Sequence, residues 1–132
     1  MRKITQEFAN ALESNTNLNK GNTSVQKLGD VSYGYLFGNR ISARTDNYLC
    51  LTNAGWCTPT TKDRLNGVLR HFKLPFSISQ CGYTWQLHEF LLNGDVITRQ
   101  WDACAKITDA ELGLDTFKPF VTFDLTTKKL VQ

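Results

Sequence analysis

The chain holds two histidines, four cysteines and twelve acidic side chains, and their spacing decides which chemistries are open to it. His71 and His88 make no H-E-x-x-H pair and stand at no metal-ligand spacing. Glu89 follows His88 directly, so on a strand the two side chains project to opposite faces. Cys50, Cys57, Cys81 and Cys104 are separated by 7, 24 and 23 positions with no C-x-x-C pair, which argues against a finger-type zinc site. No G-x-S-x-G elbow, phosphate-binding loop or dinucleotide fingerprint occurs, and the acids form no paired-carboxylate motif. Catalysis normally needs a nucleophile, a base and an orienting group together. The expectation is a protein that is not an enzyme, with no catalytic residue, no metal and no cofactor.

The threonines at 58, 60 and 61 have two readings. With Lys62 and Arg64 nearby they resemble an anion site at a helix start. Read as structure, they cap the helix, and nothing here is Gly-rich in the way a phosphate cradle requires, so capping is preferred. One frame uses Thr58 as N-cap with Pro59 at the first helical position; the other uses Thr60 with Asp63 three residues on. Trp56, just before, reads as a core lid over that helix in preference to a ligand-stacking platform.

Positive charge is concentrated in the middle of the chain. Arg40, Arg44, Lys62, Arg64, Arg70 and Lys73 stand against two acids, Asp46 and Asp63, giving this stretch +4 within an overall +3. Strand alternation sets Arg40 and Arg44 on one face, and helical periodicity sets Arg64 and Arg70 on the outer side of the main helix. Together these six are the candidate partner-binding residues, suited to phosphate or to an acidic protein surface.

The elements that must position these residues follow from periodicity. Ile4, Phe8 and Leu12 mark a short N-terminal helix over about Thr5 to Ser14. Asn15 to Asp30 is polar, with Gly21-Asn22 and Gly29-Asp30 as turn signals. Val31, Tyr33, Tyr35 and Phe37 alternate as a strand facing the core, Gly38-Asn39 turns, and strands follow over Arg40 to Arg44 and Tyr48 to Thr52. Leu65, Val68, Leu69 and Phe72 form the buried face of the main helix, which Pro75 ends. Strands are expected at Phe76 to Ser79, Tyr83 to Leu87 and Asp95 to Trp101, the last two joined across Asn93-Gly94. A short helix over Asp109 to Leu114 and a strand over Phe120 to Leu125 complete the chain.

The fold class is thus α+β: a mostly antiparallel sheet of meander and hairpins packed against one main helix, with a short N-terminal helix. A chain of 132 residues with 41% apolar side chains forms one domain and buries a real core. Phe8, Val31, Tyr33, Tyr35, Leu49, Leu51, Trp56, Leu65, Leu69, Phe72, Ile78, Trp85 and Trp101 are expected in one buried cluster. No run of 18 apolar residues occurs, so no membrane span is expected, and Gln6, Glu7 and Asn10 interrupt any signal-peptide core. In a reducing cytosol the four thiols stay free, with a Cys50–Cys57 bridge as the alternative.

From Gly21 to Trp101 the pattern resembles a group of small proteins of tailed bacteriophages. The resemblance rests on Gly21-Asn22-Thr23, on YLFGNRISAR at Tyr35 to Arg44, and on a Gly-Trp-x-Thr-x-Thr-Thr-x-x-Arg-Leu-Asn signature matched from Gly55 to Asn66. Ile78 to Gln80, Trp85, Asn93-Gly94 and Trp101-Asp102 match its later elements. It implies a phage origin and a compact fold, but no activity; with the interrupted N-terminus, the expected place is the host cell cytoplasm. It divides the single domain into a family-like core, 1–102, and a C-terminal extension, 103–132.

Two function classes remain. The first is a phage accessory protein that binds and inhibits or redirects a host protein machine, such as an anti-defence, anti-CRISPR-like inhibitor. The alternative is a small nucleic-acid-binding protein using the basic stretch 40–73, with Tyr33, Tyr35 and Phe37 as stacking groups if exposed. Phe90-Leu91-Leu92, with His88, is hard to place in an isolated hairpin without a partner surface. This hairpin is the candidate contact for a homodimer or for a host protein or protein–nucleic-acid complex.

Overall fold

The computed structural model describes residues 2–82, 84–104 and 120–131. Helix α1, Lys3–Ser14, is followed by strands β1 (Leu18–Lys20), β2 (Thr23–Leu28), β3 (Val31–Leu36), β4 (Asn39–Arg44) and β5 (Tyr48–Leu51). Helix α2, Pro59–His71, leads into β6 (Phe76–Cys81), β7 (Thr84–Phe90) and β8 (Val96–Gln100). Strands β9 (Val121–Asp124) and β10 (Leu130–Val131) end the chain. The fold is α+β, with two helices and two antiparallel sheets among the described residues. One has seven strands in the order β1-β2-β3-β4-β5-β9-β10, the other three in the order β6-β7-β8. The expected helix over Asp109 to Leu114 and the residue Tyr83 lie outside the described residues.

The polar stretch after α1 carries β1 and β2, which hydropathy alone did not separate from a loop. Thr23 and Val25 are buried while Gln26, Lys27 and Leu28 are exposed, so only half the strand carries an apolar signal. Gly21 and Gly29 take φ of 58° and 61° at the first position of two-residue turns, as the tight hairpins at Lys20–Thr23 and Leu28–Val31 need.

Both helices lie on one face of the seven-stranded sheet. Phe8, Ala9, Ala11 and Leu12 of α1 and Leu65, Val68 and Leu69 of α2 are buried in one core with Leu36, Ile41, Leu49, Leu51 and Phe123 from that sheet. Phe76, Ile78, Trp85 and Leu87 join this core from the three-stranded sheet. Each Val, Leu, Ile or Phe among them contributes about 1.5–3 kcal/mol on burial. Phe76 meets Phe123 edge-on at 4.8 Å, which joins the two sheets, and Trp85 lies against Trp101 at 5.8 Å.

The face of β3 that meets the helices carries Ser32, Gly34 and Leu36, and at Gly34 it is small. Gly34 lies so close to α1 that an added Cβ would stand 2.4 Å from Phe8 Cζ and 2.2 Å from Ser42 Oγ. Ser32, on the same face, donates to Asn15 Oδ1 at the end of α1. Only small residues allow this approach, so Tyr33 and Tyr35 face the other way. Tyr33 is buried there in a second cluster with Ala43, Cys50 and Phe120, while Val31 and Tyr35 are only half-buried. The single cluster expected from alternation is therefore two.

Arg64 is a second correction: it is 2% exposed, not on the outer face of α2. Its Nη1 donates to Thr5 Oγ1 and to Asp63 Oδ2, each at 2.9 Å, and its Nε donates to Thr23 Oγ1 at 3.2 Å. Thr5 Oγ1 also donates to Asp63 Oδ2. One guanidinium thus ties α1, α2 and β2 together. Burial pushes its pKa down, and the Asp63 carboxylate opposes that shift.

Candidate functional site

Two turns with backbone in the left-handed region stand side by side in the fold. The β3–β4 hairpin closes through Phe37 and Gly38, at φ 50° and 77°, between the paired residues Leu36 and Asn39. Positive φ at both central positions is the type I′ pattern, one residue earlier than the Gly38-Asn39 dipeptide suggests. The second turn runs Asn53 to Trp56, with Ala54 at φ 53°, Gly55 at 88° and Trp56 N donating to Asn53 O at 2.8 Å. Asn53 Oδ1 accepts from Gly55 N at 2.8 Å, and Asn53 N donates to Ala103 O at 3.0 Å, which fixes this turn to the segment after β8.

The turns place Phe37 and Trp56 on the lip of a cleft of about 460 Å³, which Leu36, Asn39, Ile41, Thr58 and Thr61 also line. Leu36, Ile41 and Thr61 are buried, whereas Phe37 is 68% and Trp56 55% exposed. Trp56 is therefore not a lid on the core, because the Asn53–Trp56 turn carries its ring outward. Thr58 is the N-cap of α2: its Oγ1 accepts from Thr61 N at 3.2 Å and pairs with Thr61 Oγ1 at 2.9 Å. Asp63 serves Arg64 and Thr5, so the Thr60 frame does not form. Among the described residues no acidic or basic side chain lines the cleft.

The six basic residues singled out from sequence do not form one patch. A β-bulge accounts for part of this. Gly34 pairs with Ser42 and Tyr35 with Arg40, leaving Ile41 as the extra residue. The extra residue reverses the parity between Arg40 and Arg44. Arg40 stacks over Tyr33 at 3.9 Å, and its Nη2 donates to Tyr35 Oη at 2.9 Å. Arg44 pairs with Ser32 and Leu49 on the opposite, helix-bearing face. Arg64 is buried, Lys62 is half-buried, and Arg70 and Lys73 are exposed at the far end of α2.

The β7–β8 hairpin presents its apolar residues to solvent. Phe90, Val96 and Ile97 are 48%, 49% and 39% exposed, Leu92 is fully exposed and Leu91 half-buried. Gly94 N donates to Leu91 O at 3.0 Å and Leu91 N to Asp95 O at 2.9 Å, with Gly94 at φ 92°. This is a three-residue loop with a bulge glycine, not the two-residue turn the Asn-Gly dipeptide suggests. On the outer face of the sheet His88 sits between two hydroxyls, Nε2 at 2.6 Å from Ser79 Oγ and Nδ1 at 2.9 Å from Thr98 Oγ1. Sequence reading missed this contact, because it depends on the register that sets Ser77 opposite His88.

All four cysteines are free. Cys50 is buried on the face away from the helices, which pushes its thiol pKa up, so it is not placed to bridge the exposed Cys57. Partial burial, with Cys104 nearby, also raises the Cys57 pKa. Among the described residues no three His, Cys, Asp or Glu side chains gather as a metal site, and no helix is long and apolar enough to cross a membrane.

The family model described as Kyanoviridae Gp96 protein matches residues 1–112, from the first residue through α1, both β-meanders and α2 to beyond Asp102. No curated protein and no solved structure matches the chain.

Proposed function

The chain belongs to the Kyanoviridae Gp96 family of phage proteins, and from that premise we propose that it is an accessory protein acting by binding, not catalysis, on a host protein in the host cytoplasm. The observation that carries this reading is the β7–β8 hairpin, where Phe90 and its cross-strand partner Val96 stand in solvent on one face with Leu92 in the adjoining loop, and Ile97 is exposed on the other face. Exposed apolar residues gathered at one place mark interaction sites far more often than single ones do. Edge strand β8 adds a second attraction, because its outer backbone groups pair with no strand among the described residues.

The dispersal of the basic residues favours protein over nucleic acid as the partner. With Arg64 inside and Arg40 and Arg44 on opposite faces, no phosphate-tracking row is available from this set. Inhibition or redirection of a host machine, the anti-defence role among them, is what such docking would accomplish.

The test is a pull-down from phage-infected host lysate with the wild type and with Phe90→Asp/Leu92→Asp, each with and without nuclease. The expected result is a host protein retained by the wild type, insensitive to nuclease, and lost with the double variant at unchanged Tm. Retention that nuclease abolishes would move the reading to nucleic acid. Equal retention by the variant would remove the hairpin from the site. A wild type that elutes as a dimer by light scattering, and a variant that elutes as a monomer, would make the hairpin a homodimer contact instead.

A further inference from the structure

We infer that the cleft between the Phe37 and Trp56 turns is a ligand site for a neutral planar aromatic ring with a hydrogen-bonding edge, the chemistry common to a nucleobase and a phenol. This site is separate from the hairpin proposed above and does not depend on it. Three independent features of the cleft select this ligand.

The first is size and shape. At about 460 Å³ the space falls in the range of small-molecule pockets, roughly 300–1,000 Å³, and is larger than a single side chain needs. The second is lining. Phe37 and Trp56 offer aromatic surface at the lip over an apolar floor of Leu36 and Ile41. Stacking on exposed aromatic faces favours flat rings over equally apolar saturated ones. Among the described residues no charged group lines the space, so a carboxylate, phosphate or ammonium finds no compensating partner in this lining. Among the described residues the polar side chains of the lining are Asn39, Thr58 and Thr61, and the two threonine hydroxyls already pair with each other at 2.9 Å. Within the chain, Asn39 Nδ2 makes a long bond of 3.4 Å to Phe37 O, which leaves the amide able to turn to a ligand edge.

The third is backbone strain at both walls. Phe37 and Ala54 hold positive φ at positions where Asn, Asp or Gly is the stable choice. Such conformations cost about 1–2 kcal/mol and cluster where side-chain placement matters for function. Here the Phe37 turn sets one aromatic wall, and the Ala54 turn throws Trp56 into the other.

The ¹⁵N-labelled full chain gives three indole N–H signals, from Trp56, Trp85 and Trp101, and only Trp56 is exposed. Titration with phenol, adenosine and cyclohexanol separates a planar ring from an apolar volume and compares two sources of the ring. The expected result is saturable movement of the Trp56 signal, with Trp85 and Trp101 unmoved. Phenol or adenosine should saturate at a concentration at least tenfold below that of cyclohexanol. Trp56→Ala, followed through the backbone amide of Thr61, should weaken binding at least tenfold, and Phe90→Asp should leave it unchanged. The inference is overturned if none of the three moves Trp56, if cyclohexanol binds as well as the rings, or if Trp56→Ala binds the rings normally.

Discussion

Strand β3 runs through two regions that obey opposite rules. At Gly34 it meets α1 in a seam with no room for a methyl group, where Phe8 is fully buried and Gly34 keeps ordinary backbone angles. Three residues on, at Phe37, the same chain turns into solvent with strained backbone and an exposed ring beside an open cleft. The seam leaves no room for another atom beside Gly34, and there a side chain is chosen for what it fits. At the rim the packing constraint is gone, yet a costly conformation persists. The contrast separates residues that make the fold from residues the fold displays.

Substitutions should break that contrast unequally. Phe8→Ala opens a cavity in the seam and should cost about 3–5 kcal/mol, read as a lowered denaturant midpoint with an unchanged slope. Arg64→Ala should cost about 2–3 kcal/mol, because the half-buried Asp63 carboxylate loses its cation and keeps only the hydrogen bond from Thr5, and the tie from α2 to Thr23 is lost. Reversal to Glu should unfold the chain outright, so Arg64 cannot serve as a surface probe. Gly34→Ala adds one methyl and should cost about 1–3 kcal/mol through overpacking against Phe8. Combined with Phe8→Leu it should cost less than the sum of the two, and strict additivity would show that the seam is looser than described.

The rim should respond in the other direction. Phe37→Asn places a residue that tolerates positive φ before Gly38 and should raise stability by about 0.5–1 kcal/mol. A fall in Tm would mean that the ring is packed, not displayed.

The smallest effect belongs to the solvent side of α1. Glu7 is held below its ordinary pKa, chiefly by the hydrogen bond from Lys20 at 2.6 Å. A lowered folded-state pKa means that its contribution is present above the unfolded value and is lost as pH falls through the folded one. Glu7→Gln should therefore narrow the gap in Tm between neutral and acid pH slightly, and the narrowing should vanish in high salt.

What could be read from residue order was local. The start of α2 between Thr58 and Thr60, the buried stripe from Leu65 to Phe72 and the strand periodicities depend on neighbours within a few residues, whereas the choice of Thr58 as N-cap and the exact turns at Phe37-Gly38 and Leu92 to Gly94 did not follow from their dipeptides. The exposed apolar hairpin was legible for the same reason, since Phe90-Leu91-Leu92 could not be satisfied by its own strand partners.

Tertiary contact decided the rest. Alternation along β3 defines two faces but does not say which meets a helix; the approach of Phe8 to Gly34 chose the small face and turned the tyrosines away. One bulged residue, Ile41, set Arg40 and Arg44 apart, and such an insertion is visible only in the pairing register. Arg64 carries the composition of a surface residue, yet it found buried partners 59 and 41 positions distant in Thr5 and Thr23. The cleft likewise exists only because two turns far apart in the chain come together around Ile41, so no window of sequence contains it.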